Sequence, residues 1–172
     1  MMLILLFVSF SCQKSNHKIP ISDISNLPSL TVKNDTTVYS DSGRVSLKLI
    51  FPIMEQYDNA GESYNEFKQG LYVNVFNRDK EPTGSISAKY AKYTKISNLW
   101  ELRDSVVVIN ENQDMLETEI LFWDQTKDLI YSDRFVKFTN ADQIIMGTGF
   151  ESDSHLRRRK IKKVSATIYL NE

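Results

Sequence analysis

The sequence predicts an all-β domain of about ten short strands with little helix. The first observation is period-two alternation, as in Arg44–Phe51, where Val45, Leu47 and Leu49 fall on one face. The second is that Asn, Asp and Gly interrupt the apolar segments roughly every eight to twelve residues, as turns do in antiparallel sheets. No segment keeps the 3.6-residue period of an amphipathic helix.

The same criteria place each strand in order along the chain. The predicted strands are Arg44–Phe51, Phe67–Phe76, Ser85–Tyr93, Asn98–Arg103, Ser105–Asn110, Leu116–Trp123, Leu129–Ser132, Phe135–Phe138, Ile144–Phe150 and Val164–Leu170. Residues 52–64 are predicted to be a polar loop, and Pro82 is expected to interrupt a ladder because it has no N–H to donate. Strands that follow one another through short turns favour a meander.

A row of strands with one apolar face must curl, close or pair with a second sheet. Incomplete curling would leave an apolar groove that could accept acyl chains, at about 0.8 kcal/mol for each methylene removed from water. The candidates for this interior face are Val73, Val75, Ile86, Ala88, Leu102, Val106, Val108, Leu116, Ile130, Val136, Phe138 and Ile145. The residues taken alone favour the alternative, a closed hydrophobic core.

Composition is that of an ordinary globular protein. The 172 residues are 41% hydrophobic and 25% charged, with a net charge of −1. A chain of this length can bury one domain core and carry an extension. The balanced charge gives no field that would attract nucleic acid, so a nucleic-acid-binding class is excluded.

The N-terminal residues resemble an export signal. The apolar run Met1–Phe10 is shorter than the ~20 residues needed to span a bilayer and resembles the core of a signal peptide, predicted over residues 1–11. Cys12, the single cysteine, follows it as in a bacterial lipobox, where the thiol is acylated. Ser9 departs from the usual Leu or Val, and no cation precedes the run. A free or oxidised cysteine in a cleaved leader is the alternative.

Residues 12–43 are predicted to be a flexible tether, and residues 44–172 the folded domain. The tether segment is rich in Ser, Asn, Asp and Thr and contains Pro20 and Pro28. Thirty such residues have a root-mean-square reach of roughly 30 Å.

Several chemical motifs fail on inspection. Gly147-Thr148-Gly149 lacks the third glycine of a dinucleotide fingerprint. Two histidines, His17 and His155, with Cys12 cannot assemble a metal site of useful spacing. No serine lies in a G-x-S-x-G elbow. The sequence therefore predicts no metal, no cofactor and no enzymatic activity.

Two carboxylates leave one enzymatic alternative open. Glu117 and Glu119 lie two apart on a strand and so share a face, a spacing that general acid and base chemistry could use. Together with Trp100 and Trp123 they could form a glycan-binding or hydrolase module of the cell envelope. A solvated outer face is the commoner explanation for such a pair.

Five weak motifs in a fixed order resemble the periplasmic LptC family of the lipopolysaccharide export machinery. They are Ser85–Ala88, Leu99–Leu102 leading to Val106–Val108, Leu116–Glu119 to Trp123-Asp124, Ile130–Asp133 with Val136–Phe138, and Gly147–Phe150. The resemblance covers roughly residues 38 to 170. It implies a twisted open β-jelly-roll, a V-shaped sandwich whose apolar interior carries acyl chains.

The resemblance also implies a function and partners. A family member receives lipopolysaccharide from inner-membrane ABC transporter subunits and passes it to a periplasmic bridge of like fold, joined by edge-strand addition. The ATPase belongs to other subunits, so no catalytic residue is expected. The family often has a transmembrane anchor, whose place an acylated Cys12 would take at the periplasmic side of the inner membrane. The alternatives are a lipoprotein carrier or outer-membrane assembly lipoprotein, and the glycan-binding module.

A basic run precedes the last predicted strand and contains Arg157, Arg158, Arg159 and Lys160. Guanidinium groups suit phosphate, so this run could contact lipid phosphates or an acidic partner. Equally, Lys and Arg protect sheet edges from aggregation.

Overall fold

A computed structural model describes residues 27–41, 44–59, 62–77 and 79–170 of the protein. In them the chain forms eleven antiparallel strands of one continuous sheet and contains no helix. The strands are β1 (Leu30–Asp41), β2 (Arg44–Asn59), β3 (Glu62–Phe67), β4 (Leu71–Phe76), β5 (Pro82–Ala88), β6 (Tyr90–Thr94), β7 (Leu99–Ile109), β8 (Met115–Asp124), β9 (Leu129–Thr139), β10 (Gln143–Ser152) and β11 (Lys160–Tyr169). The all-β prediction is confirmed.

The sheet divides between β2 and β7 into two leaves. The first half of β2 pairs with β4 through Leu47–Ile50, whereas its second half pairs with β3 through Glu55–Asn59. Likewise β7 pairs with β6 over Leu99–Arg103 and with β5 over Val107–Ile109. We call the leaf that contains β4 and β5 leaf A and the leaf that contains β3 and β6 leaf B.

The strands β7 to β10 cross from one leaf to the other and bend where they cross. Their registers shift between Arg103 and Val106, between Thr118 and Phe122, and between Thr148 and Phe150. Irregularities of this kind bend and twist a strand. Because they lie side by side, the sheet folds along one line, the crease, into a jelly-roll-like sandwich.

Buried hydroxyl groups support the crease. The Ser132 Oγ donates a hydrogen bond to the Ile120 carbonyl (2.6 Å) and accepts one from the Arg134 N–H (3.1 Å). The Thr118 Oγ1 donates to the Phe135 carbonyl (2.8 Å). These bonds satisfy backbone groups that the bend removes from the ladder between β8 and β9.

The crease also requires a close backbone approach at Gly70, in the turn between β3 and β4. Its φ is +83°, and a Cβ there would lie 2.5 Å from the Ala88 carbonyl oxygen. Only glycine adopts this conformation at this distance without strain.

The hydrophobic core lies between the leaves. Its buried members come from both leaves and from the loop after β10: Leu49, Phe51, Phe67, Leu71, Val73, Ile86, Ala88, Ala91, Leu102, Val106, Val108, Leu116, Leu121, Ile130, Val136, Phe138, Phe150 and Leu156.

The predicted domain boundary at residue 44 is wrong. Within the predicted tether of residues 12–43, Leu30–Asp41 forms β1 and pairs with β2 along its whole length. This segment escapes a period-two criterion because almost all its side chains are exposed. Residues 1–26, with the predicted signal peptide and Cys12, lie outside the described residues.

The predicted loop over residues 52–64 is also wrong, because β2 continues through Pro52 to Asn59 and β3 begins at Glu62. Pro52 is tolerated since it stands opposite Asn34, whose φ of +49° marks an irregularity in β1. The missing N–H falls where the ladder is already interrupted.

The predicted meander holds for β1 to β3, for β4 with β5, and for β6 to β11, where each strand pairs with the next. Elsewhere the pairing is not sequential, because β2 pairs with β4, β3 with β6 and β5 with β7. The predicted strand Phe67–Phe76 is interrupted by a turn at Lys68–Gly70. The predicted strand Ser85–Tyr93 is divided at Lys89 into β5 and β6. Conversely, β7 and β9 each join two segments predicted to be separate.

Candidate functional site

A wholly apolar slot lies between the leaves. It is lined from both leaves by Leu47, Leu49, Leu71, Val73, Ile86, Trp100, Leu102 and Trp123. Its volume is about 20 Å³, room for about one water molecule. In this conformation the slot is too small to hold an acyl chain.

Two aromatic residues dominate the slot on leaf B. Trp100 and Trp123 face each other in the β7–β8 register and are the only tryptophans of the chain. The Trp100 ring stacks on Tyr93 (4.8 Å between ring centroids) and on Phe67 (5.8 Å). Both indoles are only partly buried against the core, so they lie where the interior meets solvent.

The structure brings the predicted interior residues together. Ten of the twelve are buried, whereas Val75 and Ile145 are half-buried. The slot itself is formed by only some of them, namely Val73, Ile86 and Leu102, whereas Val136 and Phe138 lie deep in the core with no exposed surface. In this conformation most of the predicted groove is closed.

Sequence reasoning missed two interior residues because the strand is irregular just before each of them. Leu121 and Phe150 are fully buried but follow the irregularities in β8 and β10. An irregular position shifts the phase of the alternation, so a strict period-two criterion assigns the second half of such a strand to the wrong face. Leu49 and Leu71 are also buried. They are not among the predicted interior residues, although each lies on the apolar face of an alternating segment.

The loop after β10 spans the open side of the sandwich, opposite the crease. We call residues 153–159 the strap. On leaf B, the Ser154 N–H donates to the Asp128 carboxylate (3.3 Å). On leaf A, the Asn110 amide donates to the His155 carbonyl (3.4 Å). Leu156, between these contacts, is fully buried in the core.

Asp153 organises the strap. Its carboxylate accepts hydrogen bonds from the Arg157 N–H (2.8 Å) and the Arg158 side chain (3.3 Å), and its carbonyl accepts one from the Leu156 N–H (3.0 Å). Burial raises the pKa of Asp153, but the hydrogen bonds from Arg157 and Arg158 outweigh it, so the net shift is downward. The carboxylate is therefore ionised at neutral pH and holds the loop closed.

The predicted basic cluster is separated by the structure. Arg159 turns back onto leaf A, where its guanidinium lies over Phe138 and 3.8 Å from the Asp114 carboxylate. Arg158 is bound to Asp153. Arg157 and Lys160 are exposed at the rim of the sandwich.

The residues of the glycan hypothesis do not assemble. Trp100 and Trp123 line the slot between the leaves. Glu117 lies between the inward residues Leu116 and Thr118 and forms an ion pair with Lys137 (2.8 Å) on the outer face. The carboxylates and the indoles are thus on opposite faces of the sheet.

The sheet ends in two exposed strands. Among the described residues, β1 pairs with β2 alone and β11 with β10 alone. Large apolar side chains are exposed on both strands: Leu30, Val38 and Tyr39 on β1, and Val164, Ile168 and Tyr169 on β11. Each strand presents an unpaired backbone edge, which is a template for pairing with another chain.

The Asp58 carboxylate holds the start of the described chain against β2. Asp58 on β2 accepts hydrogen bonds from Ser63 (2.6 Å), Gln56 (2.6 Å) and Ser29 (2.8 Å). These bonds, that from Ser63 first, hold the pKa of Asp58 well below its usual range.

Comparison with known proteins identifies the family. A family model described as "Lipopolysaccharide-assembly, LptC-related" matches residues 1–170. A search of curated proteins found no match. Within the described residues, no helix is long and apolar enough to cross a membrane. The LptC family is a component of lipopolysaccharide transport on the periplasmic side of the cell envelope. Because the match covers nearly its full length, the chain belongs to the LptC-related lipopolysaccharide-assembly family.

Proposed function

We propose that this protein accepts lipopolysaccharide from an inner-membrane ABC transporter and passes it to a periplasmic bridge of like fold. The observation that carries the proposal is the slot between the leaves, which is lined by apolar side chains alone. A lipid acyl chain is the ligand that such a lining favours, at about 0.8 kcal/mol for each methylene removed from water. Transfer requires no bond to be made or broken, so the protein acts without catalytic residues.

The interior opens by separation of the leaves. The slot of about 20 Å³ cannot hold an acyl chain as it stands. Leu47, Trp100 and Trp123 are only partly buried, so the slot is bordered by side chains that already contact solvent. Lipid would enter here and reach the deeper predicted residues, such as Val136 and Phe138, as the leaves move apart.

The exposed edges of β1 and β11 would receive the neighbouring proteins. Addition of a strand to each edge would continue the sheet, and the groove between its leaves, into a partner of like fold. The apolar side chains on both edge strands, among them Tyr39 and Tyr169, support this role because a partner would cover them.

The basic residues at the rim would contact the lipid head group or an acidic partner. Arg157 and Lys160 are exposed beside the open side of the sandwich, where a phosphate attached to an inserted lipid would lie. Arg158 could join them by leaving Asp153. Arg159 would contribute less, since it is bound to Asp114 and Phe138.

An acylated Cys12 would anchor the protein to the periplasmic side of the inner membrane. Since β1 starts at Leu30, the tether would be the residues between Cys12 and that strand. Their root-mean-square reach is roughly 20 Å.

Tryptophan fluorescence tests the proposal directly, because both tryptophans line the slot. We expect lipopolysaccharide to shift the emission, and a fatty acid with a nitroxide on its chain to quench it. The Leu47→Arg variant places a charge in the slot and should lose the response. Ile50→Arg, on the outward face of the same strand, is the control and should keep it. A folded wild-type protein whose emission neither ligand changes would contradict the proposal.

A further inference from the structure

We propose that the strap, residues 153–159, is a latch that must detach from leaf A before an acyl chain can enter between the leaves. The inference rests on the proposed function, since it assigns a gate to the same interior. The contacts of the strap, from which the latch is inferred, are independent of the slot, because none of the residues that line the slot belongs to the strap.

The position of the strap follows from β8. This strand begins just after the turn formed by residues 110–114, on leaf A, and ends just before the turn formed by residues 125–128, on leaf B. The strap contacts both turns, through Asn110 and Asp128. Because β8 bends at the crease, these contacts link its two ends across the open side of the V. The strap therefore closes the side by which the leaves would separate.

Leu156 is the plug of this closure. Its side chain has no exposed surface and belongs to the core that both leaves form. Every neighbour in Asp153–Lys160 is polar, so the loop delivers a single apolar side chain to the interior. An acyl chain that filled the interior would offer the core the same apolar contact and could replace this side chain.

The strap is attached to leaf A weakly enough to be released. Leu156 has a φ of +57°, a conformation that is strained for a residue with a Cβ. In the part of the chain that the structure describes, the strap's polar contacts with leaf A are one long hydrogen bond from Asn110 and the ion pair of Arg159 with Asp114, and Arg159 also lies over Phe138. Beneath the strap lies a cavity of about 50 Å³ bordered by Val75, Gly84 and Val108. The closure is thus neither tightly packed nor free of strain.

The link to leaf B is firmer and would serve as the hinge. Asp153 and Ser154 continue directly from β10 and are held by Asp128, and Lys160, just after the other end of the strap, pairs with Glu151 of β10. The strap would therefore swing out from leaf A while it stays attached to leaf B.

Stopped-flow uptake of a fluorescent acyl probe, cis-parinaric acid, by the full chain tests the latch. Leu156→Ala shortens the plug, and Leu121→Ala makes the same change at an equally buried position away from the strap. If entry requires the strap to open, the uptake rate rises with the fraction of open molecules. We expect an increase of about tenfold for Leu156→Ala and little change for Leu121→Ala.

Hydrogen exchange gives the second readout. The amides of Leu156 and Arg157 are bonded to Asp153 and should exchange faster when purified lipopolysaccharide is added, whereas the crease amide of Arg134 should not. Equal uptake rates in the two variants, with strap amides unchanged by bound lipid, would overturn the latch while the proposed function stands. Failure of wild type and both variants to take up probe or lipopolysaccharide would overturn the proposed function itself.

Discussion

The guanidinium carbon of Arg159 lies 4.3 Å from the centre of the Phe138 ring, where the strap returns to leaf A. Phe138 is fully buried, so the cation covers the end of the hydrophobic core. The carboxylate of Asp114 lies on the same guanidinium, 3.8 Å away. A positive charge thus closes the sandwich at one end, and nothing in the sequence distinguishes Arg159 from its basic neighbours.

Replacing Arg159 with Gln should destabilise the domain by about 1 kcal/mol, the scale of a partly exposed cation–π contact. The matched control is Arg157→Gln, an exposed member of the same run, for which a change below about 0.5 kcal/mol is expected. Urea unfolding of the two variants measures the difference. Equal stabilities would mean that the contact with Phe138 contributes nothing.

Removing the crease hydroxyl with Ser132→Ala should cost about 1–3 kcal/mol, because the Ile120 carbonyl and the Arg134 N–H then lose their partner in a buried position. Ser97→Ala, in an exposed turn, provides the control and should be near neutral. Thermal unfolding monitored by circular dichroism would show the loss. A Ser132→Ala protein as stable as Ser97→Ala would show that the crease does not depend on this hydroxyl.

Alanine at Gly70 should be much more harmful than alanine at Gly149, although both glycines have a positive φ. The new Cβ at position 70 would meet the rigid backbone carbonyl of Ala88, whereas at position 149 its neighbours are the flexible side-chain carbons of Lys162. The backbone strain common to both is about 1–2 kcal/mol, and Gly70→Ala adds the clash. Comparable unfolding midpoints for the two variants would contradict this account of the crease.

Asp58 should make the domain sensitive to acid. Its folded-state pKa is lowered by hydrogen bonds from Ser63, Gln56 and Ser29. A depressed pKa contributes stability that is present above the unfolded value of about 4 and is lost as the pH falls below it. Asp58→Asn should therefore lower the melting temperature at pH 7 and flatten its decline between pH 5 and about pH 2. Parallel curves for wild type and variant would argue against this carboxylate as the cause.

The sequence predicted the sheet and much of its interior because period-two alternation depends only on burial of one face. Ten of twelve predicted interior residues are buried on that basis. Alternation gives no signal where a strand is not buried, and it indicates the wrong face where its phase shifts. Almost all of β1 is exposed on both faces, so its sequence resembles that of a tether, and Leu121 lies beyond an irregularity in β8.

The strap was missed for a different reason. Leu156 is one apolar residue in a polar segment, and no periodicity shows that such a residue reaches the core. Its burial depends on contacts with Asn110 and Asp128, which are far away in the sequence. Conversely, the isolation of a single leucine among charged residues is the signal that could have marked it.

Photocrosslinking in living cells tests the central claim, that lipopolysaccharide passes between the leaves. A benzophenone amino acid would replace Trp100, which lines the slot, or Phe122, which stacks on Tyr131 on the outer face of the neighbouring strand. Both sites are aromatic and partly buried, so the substitutions are matched. The account predicts a lipopolysaccharide adduct at position 100 and none at position 122. Adducts at position 122 alone, or at neither position in a folded and membrane-bound protein, would contradict it.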